Sequence, residues 1–160
     1  MNLESRSAAK TKSWTVSERM AAVRQKNTRP EIALATELAK LRRVMRRHDA
    51  SLPGTPDIIF PRARLAVFVH GCFWHRHCGC RRATSPRSNA AFWAAKFQAN
   101  VRRDDRKARK LRTVGWSVFV VWECQIEKDP SRQARRISAA LRRRGAVHDK
   151  SARPTSRARA

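Results

Sequence analysis

Twelve consecutive residues, Val69-His70-Gly71-Cys72-Phe73-Trp74-His75-Arg76-His77-Cys78-Gly79-Cys80, hold three of the chain's five histidines and three of its four cysteines around a Phe-Trp pair. A hydrophobic core has no use for that composition. Thiolate and imidazole are the donors Zn²⁺ prefers, and structural zinc sites close with four of them. Cys72, His77 and Cys80 stand at spacings of five and three within one loop. Cys124 lies just past the end of an apolar run that reads as a strand, and is favoured as the fourth ligand. Cys78 is the local competitor, disfavoured because it adjoins His77 and two neighbours reach one ion awkwardly. The alternative is four free, buried cysteines.

Other residues have types suited to moving protons or holding a cation. Pro56-Asp57 opens a short strand, and a second strand follows about ten residues on. That is the first half of the Pro-Asp…(Asp/Glu)-x-Lys nuclease pattern, in which strand-borne oxygens hold Mg²⁺ against a scissile phosphate. The later triplet is Phe68-Val69-His70, so Phe68 stands where the second acid belongs and His70 where lysine belongs. His70 and His75 are free for proton transfer if zinc takes the four ligands above; each can equally be a metal ligand or a satisfied polar residue. Asp104 falls on the apolar face of a long predicted helix, where a carboxylate needs a partner. His75 or His70 would serve, as would Arg103 or Lys107. Phe73 and Trp74 sit between metal-ligand candidates, and Trp93 begins the long helix. Apolar wedges of this kind open base steps in DNA, whereas core packing is the ordinary role of tryptophan.

The chain that carries these groups has 160 residues, 41% of them hydrophobic, enough for one domain with a real core. It has 37 Lys+Arg against 12 Asp+Glu, a net charge of +25. Such a charge opposes compaction unless an anion offsets it, and nucleic acid is the natural partner because phosphate contacts release counterions. No apolar run approaches the roughly 20 residues that span a bilayer, and the polar N-terminus has no apolar leader. A cytoplasmic protein is expected, with no membrane partner and clustered cysteines that bind metal rather than pair as disulfides.

The elements that must position the site follow from periodicity and punctuation. Residues 1–16 read as a basic arm and 146–160 as a basic tail, flanking one domain over 17–145. Ser17 can cap a short helix through Met20 and Val23. Thr28-Arg29-Pro30-Glu31 is a capping box, followed by an inward stripe of Ile32, Ala35, Leu38, Ala39 and Leu41. After the turn cluster Ser51–Pro56, strands at Asp57–Phe60 and Leu65–His70 form a hairpin, the second apolar enough for a doubly covered position. A long helix is predicted over Asn89–Val114 with Phe92, Trp93, Lys96, Phe97, Asn100, Val101, Asp104, Ala108 and Leu111 inward, ended by Gly115. Trp116–Trp122 reads as another buried strand and Ser131–Arg144 as a last amphipathic helix. The order α, hairpin, α, β, α gives a compact α/β domain with a mixed sheet.

Taken together, Ala50–Asp57, His70–His77, Phe92-Trp93, Asn100–Asp104 and Val121-Trp122-Glu123-Cys124 resemble the very short patch repair (Vsr) DNA mismatch endonucleases, in order over about residues 17–125. The resemblance implies a single-domain restriction-endonuclease-like α/β fold of the PD-(D/E)xK type with structural Zn²⁺ on Cys72, His77, Cys80 and Cys124. It implies Mg²⁺-dependent nicking of one strand of double-stranded DNA beside a T:G mismatch left by 5-methylcytosine deamination, by a monomer working on the bacterial nucleoid. By motif, Asp57 and the main-chain carbonyl of Val69 hold Mg²⁺. His75 and His70 are the catalytic histidines, Asp104 supports one of them, and Glu31 binds metal-bound water. Phe73, Trp74 and Trp93 match the intercalating aromatics. Val69 replaces the threonine of well-known members, which a main-chain contact tolerates. The rival readings are a non-catalytic, zinc-stabilised DNA-binding protein and a nuclease of the same fold without mismatch specificity.

Overall fold

A computed structural model describes residues 26–151, with side chains to residue 144. The predicted N-terminal arm, the short helix at Ser17 and the end of the predicted tail lie outside the described residues. Within them the order is α1 (Arg29–Ala39), β1 (Arg46–Arg47), β2 (Ile58–Phe60), a 3₁₀ turn (Pro61–Ala63), β3 (Leu65–His70), α2 (Ala90–Thr113), β4 (Ser117–Trp122), α3 (Glu123–Lys128) and α4 (Pro130–Ser151).

The four strands form one mixed sheet in the order β1-β2-β3-β4. β2 and β3 make the expected antiparallel hairpin, with Ile58 opposite Val67 and Phe60 opposite Leu65. Arg64 turns it in the left-handed region at φ 45°. β4 returns parallel to β3 after the α2 crossover, and its register pairs Val69 with Val121 and His70 with Trp122.

Alternation along the hairpin divides the core between the two faces of the sheet. Ile58, Phe60, Leu65 and Val67 pack with Leu34 and Leu38 of α1, Ile126 of α3 and Ile137 and Leu141 of α4. Ile59, Ala66 and Phe68 point the other way and pack with Leu111 of α2, flanked by Leu52 and Trp116. β3 is therefore covered on both faces, as its continuous apolar run predicts. At about 25 cal/mol per Å², burying Leu or Ile side chains of this kind stabilises the fold by roughly 2 kcal/mol each.

Four sequence expectations are corrected. α1 turns Glu31, Leu34, Ala35 and Leu38 inward, leaving Ile32 46% exposed and Ala39 on the surface. The stripe is rotated because the carboxylate of Glu31 occupies the inward position. On α2, Trp93, Phe97 and Leu111 are buried, but Phe92 and Val101 are exposed. β4 is an edge strand with only Val121 fully buried, not a second covered strand. α4 continues past Arg144 to Ser151, into the predicted tail. α2 itself, capped by Asn89 and ended before Gly115 (φ 82°), lies within a residue of its predicted bounds.

Candidate active site

The sheet topology explains why distant sulfur atoms meet. β3 and β4 run parallel with His70 opposite Trp122, so Cys72 and Cys124 each lie two residues beyond the same rung. The loop after β3 then curls back: His75 N–H donates to Gly71 O, and His77 N–H to Cys72 O. His77 Nδ1 comes 3.5 Å from Cys72 Sγ and 3.4 Å from Cys124 Sγ. Donor atoms of Cys72, His77, Cys80 and Cys124 all lie within 4.8 Å of one another. Cys78 is exposed and outside this group. The His77 ring stacks on Trp122, centroids 4.1 Å apart, which fixes its orientation. Burial pushes the Cys72 thiol up to about 12, with the neighbouring Cys124 and Cys80 thiols adding to the rise. The Cys80 thiol shifts the other way, lowered first by a hydrogen bond from the Arg82 amide and then by hydrogen bonds with Cys72 and Cys124. Three thiols and one imidazole with converging lone pairs fit a closed tetrahedral zinc set.

A second group lies at the mouth of the hairpin, in a cleft of about 860 Å³. Asp57, just before β2, accepts a hydrogen bond of 2.7 Å from the Val69 amide on β3. Burial raises its carboxyl to about 6; the Val69 hydrogen bond opposes the rise and the negative charge of Glu31 adds to it. Glu31 is only 5% exposed. Its two oxygens accept from the Asn27 amide and the Thr28 hydroxyl, both at 2.8 Å. The predicted capping box is thus built with the acid as its centre: Thr28 starts the helix, but its hydroxyl donates to Glu31 and caps no backbone amide.

Facing these acids are the histidines. His75 Nδ1 donates a short hydrogen bond to Asp104 Oδ2, so of the four partners the sequence allows for that carboxylate, His75 is the one engaged. Burial alone would raise the Asp104 pKa, but the His75 hydrogen bond and the charges of His75, His70 and Lys107 outweigh it and lower the carboxyl overall. One turn earlier on α2, the Asn100 amide donates to the Trp74 carbonyl at 3.2 Å. The helix therefore grips the loop at two adjacent residues. His70 and His75 stack with centroids 4.0 Å apart and planes 12° off parallel. Burial, with the charge of His75 second, lowers the His70 imidazolium to about 4.

The aromatics form one cluster. Phe73 meets Trp74, Trp93 and Phe97 edge-on at 5.0, 5.6 and 5.1 Å. Phe73 and Trp74 are half-buried at its surface. Trp93 is 5% exposed and forms the floor, so in this conformation it backs the other two rather than projecting with them.

Two residues of the site escape sequence reasoning, and a third, Lys107, enters it only as a possible partner of Asp104. His48 lies between the acids, Nε2 3.6 Å from Glu31 and Nδ1 3.9 Å from Asp57; only the β1–β2 pairing brings it there. Glu123 accepts from the Cys72 amide at 3.2 Å, closing the start of the loop. Lys107 lines the cleft one turn beyond Asp104. Among the described residues no helix is long and apolar enough to cross a membrane.

A carboxylate at the entry to β2, the buried acid Glu31, a His–Asp pair and a +25 chain fit an α/β enzyme acting on the phosphodiester backbone of nucleic acid. The family model described as DNA mismatch endonuclease Vsr matches residues 9–82. The chain is 48% identical over 116 residues to the type II nicking enzyme V.XorIIP of Xanthomonas oryzae pv. oryzae, covering 72% of this chain and 85% of that protein. It is 40% identical over 112 residues to the DNA mismatch endonuclease Vsr of Escherichia coli, covering 70% and 71%. It is 35% identical over 117 residues to the type II nicking enzyme V.NmeAIP of Neisseria meningitidis, covering 71% and 83%. The protein belongs to the Vsr family of DNA mismatch endonucleases. It is a DNA endonuclease that hydrolyses phosphodiester bonds.

Proposed function

We propose that the protein nicks one strand of duplex DNA beside a T:G mismatch arising from deamination of 5-methylcytosine, in a Mg²⁺-dependent hydrolysis. The observation that carries this reading is that one loop sets His75, held by Asp104 of α2, in the same cleft as Asp57, with the aromatic pair Phe73-Trp74 immediately beside it. A nuclease with no need to distort its duplex has no use for that pair. Several relatives carry the name nicking enzyme, which favours cleavage of one strand.

Asp57, the Val69 carbonyl and, through water, Glu31 would hold Mg²⁺; with no acid at Phe68, DNA phosphate oxygens complete the set. When bound, the ion stabilises negative charge developing on the phosphoryl oxygens and the leaving 3′-oxygen. His75 accepts the proton of the water that attacks phosphorus in line, using the ring nitrogen that Asp104 does not engage. Asp104 fixes the tautomer and favours the imidazolium that forms. His70, held neutral at pH 7 by burial, packs flat against His75 and sets its plane. The P–O3′ bond breaks, the departing 3′-oxygen takes a proton from solvent water, and 5′-phosphate and 3′-hydroxyl ends remain.

Cys72, His77, Cys80 and Cys124 would hold Zn²⁺ and so fix the backbone on both sides of Phe73-Trp74. Those two side chains enter the base stack at the mismatch, with Trp93 behind them. Unstacking costs a few kcal/mol, and a T:G pair lowers that cost relative to a Watson–Crick pair.

The test is nicking of a panel of labelled duplexes carrying T:G, other mismatches or none, with Mg²⁺ or with EDTA. Preferential Mg²⁺-dependent cleavage of the T strand supports the reading. Equal cleavage of matched duplexes favours the nuclease without mismatch specificity, and loss of nothing in Asp57→Ala would overturn the catalytic assignment.

A further inference from the structure

The cleft holds Asp57, Glu31 and Asp104, and a phosphodiester that enters it needs a cation beyond any bound metal. His70, at the strand position where the nuclease pattern has lysine, is a ring stacked flat on His75 at 4.0 Å, not an ammonium on a long stem that reaches into the cleft. Five basic side chains line the cleft: Lys26, Arg29 and Arg103 are exposed and Lys96 lies over the Phe92 ring, which leaves Lys107 as the half-buried cation placed to reach inward. Lys107 projects from α2 one turn beyond Asp104 and lines the same cleft as Asp57, His70 and His75.

Its path is fixed by backbone. The stem lies directly over Gly54: a Cβ at that position would stand 2.7 Å from Lys107 Cγ and Cδ and 2.9 Å from Cβ. Gly54, at φ 83°, opens the groove through which the lysine reaches the cleft. The charge is delivered where the reaction occurs, since Lys107 lines the cleft together with Asp57, His70, His75 and Asp104. It is also not consumed there. Asp104 pairs with His75 and Asp57 with the Val69 amide, so among the described residues the ammonium closes no ion pair with either.

We infer that Lys107 is a catalytic residue: its ammonium, delivered from α2 across Gly54, contacts the scissile phosphate and offsets the charge that builds on its non-bridging oxygen during attack. This places on a helix the cation that the nuclease pattern carries on its strand. The inference rests on the reading of the cleft as the nicking site.

The experiment compares the full chain with Lys107→Met, which keeps the stem over Gly54 and removes the charge, and with Lys107→Arg, which keeps the charge. The nick made by the parent on a T:G duplex with Mg²⁺ is mapped first. Affinity for that duplex is then measured in Mg²⁺-free buffer across a salt series, with a normal phosphate or a neutral methylphosphonate at the mapped position. Lys107→Met is expected to lower the slope of log affinity against log salt by about 0.9, to gain or lose nothing further from the methylphosphonate, and to slow single-turnover nicking at least about 100-fold. Lys107→Arg should restore the slope. A Lys107→Met protein with the parent's melting temperature, slope and nicking rate overturns the inference. So does an unchanged response to the methylphosphonate, which would put the lysine on another phosphate. If the parent nicks no duplex, the functional reading fails instead, while the salt slope still reports whether Lys107 meets phosphate.

Discussion

The Nδ1 of His75 is bound to the carboxylate of Asp104, 29 residues away on a helix whose next turn back also holds the Trp74 carbonyl through Asn100. Position and chemistry are thereby joined: the contact that orients the ring also docks the loop. Asp104→Asn keeps the side-chain shape but removes the charge and lets the amide present the wrong group to the ring. Single-turnover nicking is expected to fall by about 10² to 10⁴, with affinity for a T:G duplex within a few-fold of the parent. Parent-like rates would show that His75 does not act as the base.

The same cleft sets a pH signature in Mg²⁺-free buffer. Asp57, raised from 3.8 to about 6, holds a proton in the folded state that the unfolded chain has released, so its contribution to stability falls as pH rises from about 4 to 6. His70, lowered from 6.5 to about 4, refuses a proton that the unfolded chain accepts, so its contribution falls as pH drops through nearly the same window. Each is worth about 3 kcal/mol, and in the parent the two oppose. Asp57→Asn should expose the histidine alone: more stable than the parent at pH 7, then losing about 3 kcal/mol towards pH 4. His70→Gln should do the opposite and gain stability over that range. Denaturant titrations at pH 4, 5, 6 and 7 decide it; parallel curves for all three proteins would refute the opposition.

Zinc content separates the cysteines. The parent and Cys78→Ser should each carry about one zinc per chain, whereas Cys124→Ser, which removes a donor 3.4 Å from His77 Nδ1, should lose it. A Cys124→Ser protein that retains the metal, measured by mass spectrometry after gel filtration, would break the proposed ligand set.

How much of this was legible in the sequence depends on whether a residue's surroundings are local. The hairpin and α2 were legible because their signals are local: the turn cluster before Asp57, the continuous apolar run Leu65–His70 and the Gly115 stop. Cys124 could be placed near the loop because it follows a predicted strand, though the parallel register that brings it level with Cys72 is seen only in the fold. β1 was not legible, because two exposed arginines carry no alternation and acquire strand geometry only by pairing with Ile58 and Ile59. His48 went with it, since its place between Glu31 and Asp57 follows from that pairing. The inward face of α1 was misread because apolarity points to Ile32, whereas the site draws Glu31 inward, where Asn27 and Thr28 supply its hydrogen bonds. α3 is too short, at six residues, to show a period.

The aromatic cluster predicts a division of labour. Trp93 is buried against Phe73 and Phe97, so Trp93→Ala should cost about 3–5 kcal/mol of stability. Trp74→Ala, at the half-exposed edge, should cost far less stability yet abolish distortion of a T:G duplex, read by 2-aminopurine fluorescence beside the mismatch. If Trp74→Ala distorts the duplex like the parent, the wedge lies elsewhere.

Two glycines with similar backbones test what the close approach at Gly54 is for. Gly54 (φ 83°) and Gly79 (φ 70°) both occupy the left-handed region, where a side chain costs about 1 kcal/mol. A Cβ at Gly79 meets nothing within 4 Å, whereas one at Gly54 meets the Lys107 stem. The far end of that lysine could swing aside, but its Cβ, 2.9 Å away, is fixed to α2. Gly79→Ala should therefore lose only the backbone cost. Gly54→Ala should lose roughly 1–3 kcal/mol more, the usual cost of overpacking, and should slow nicking because the lysine is displaced. Chemical denaturation and single-turnover rates on the two variants check this; equal losses at both positions would mean that Gly54 serves its turn alone and not the passage of Lys107.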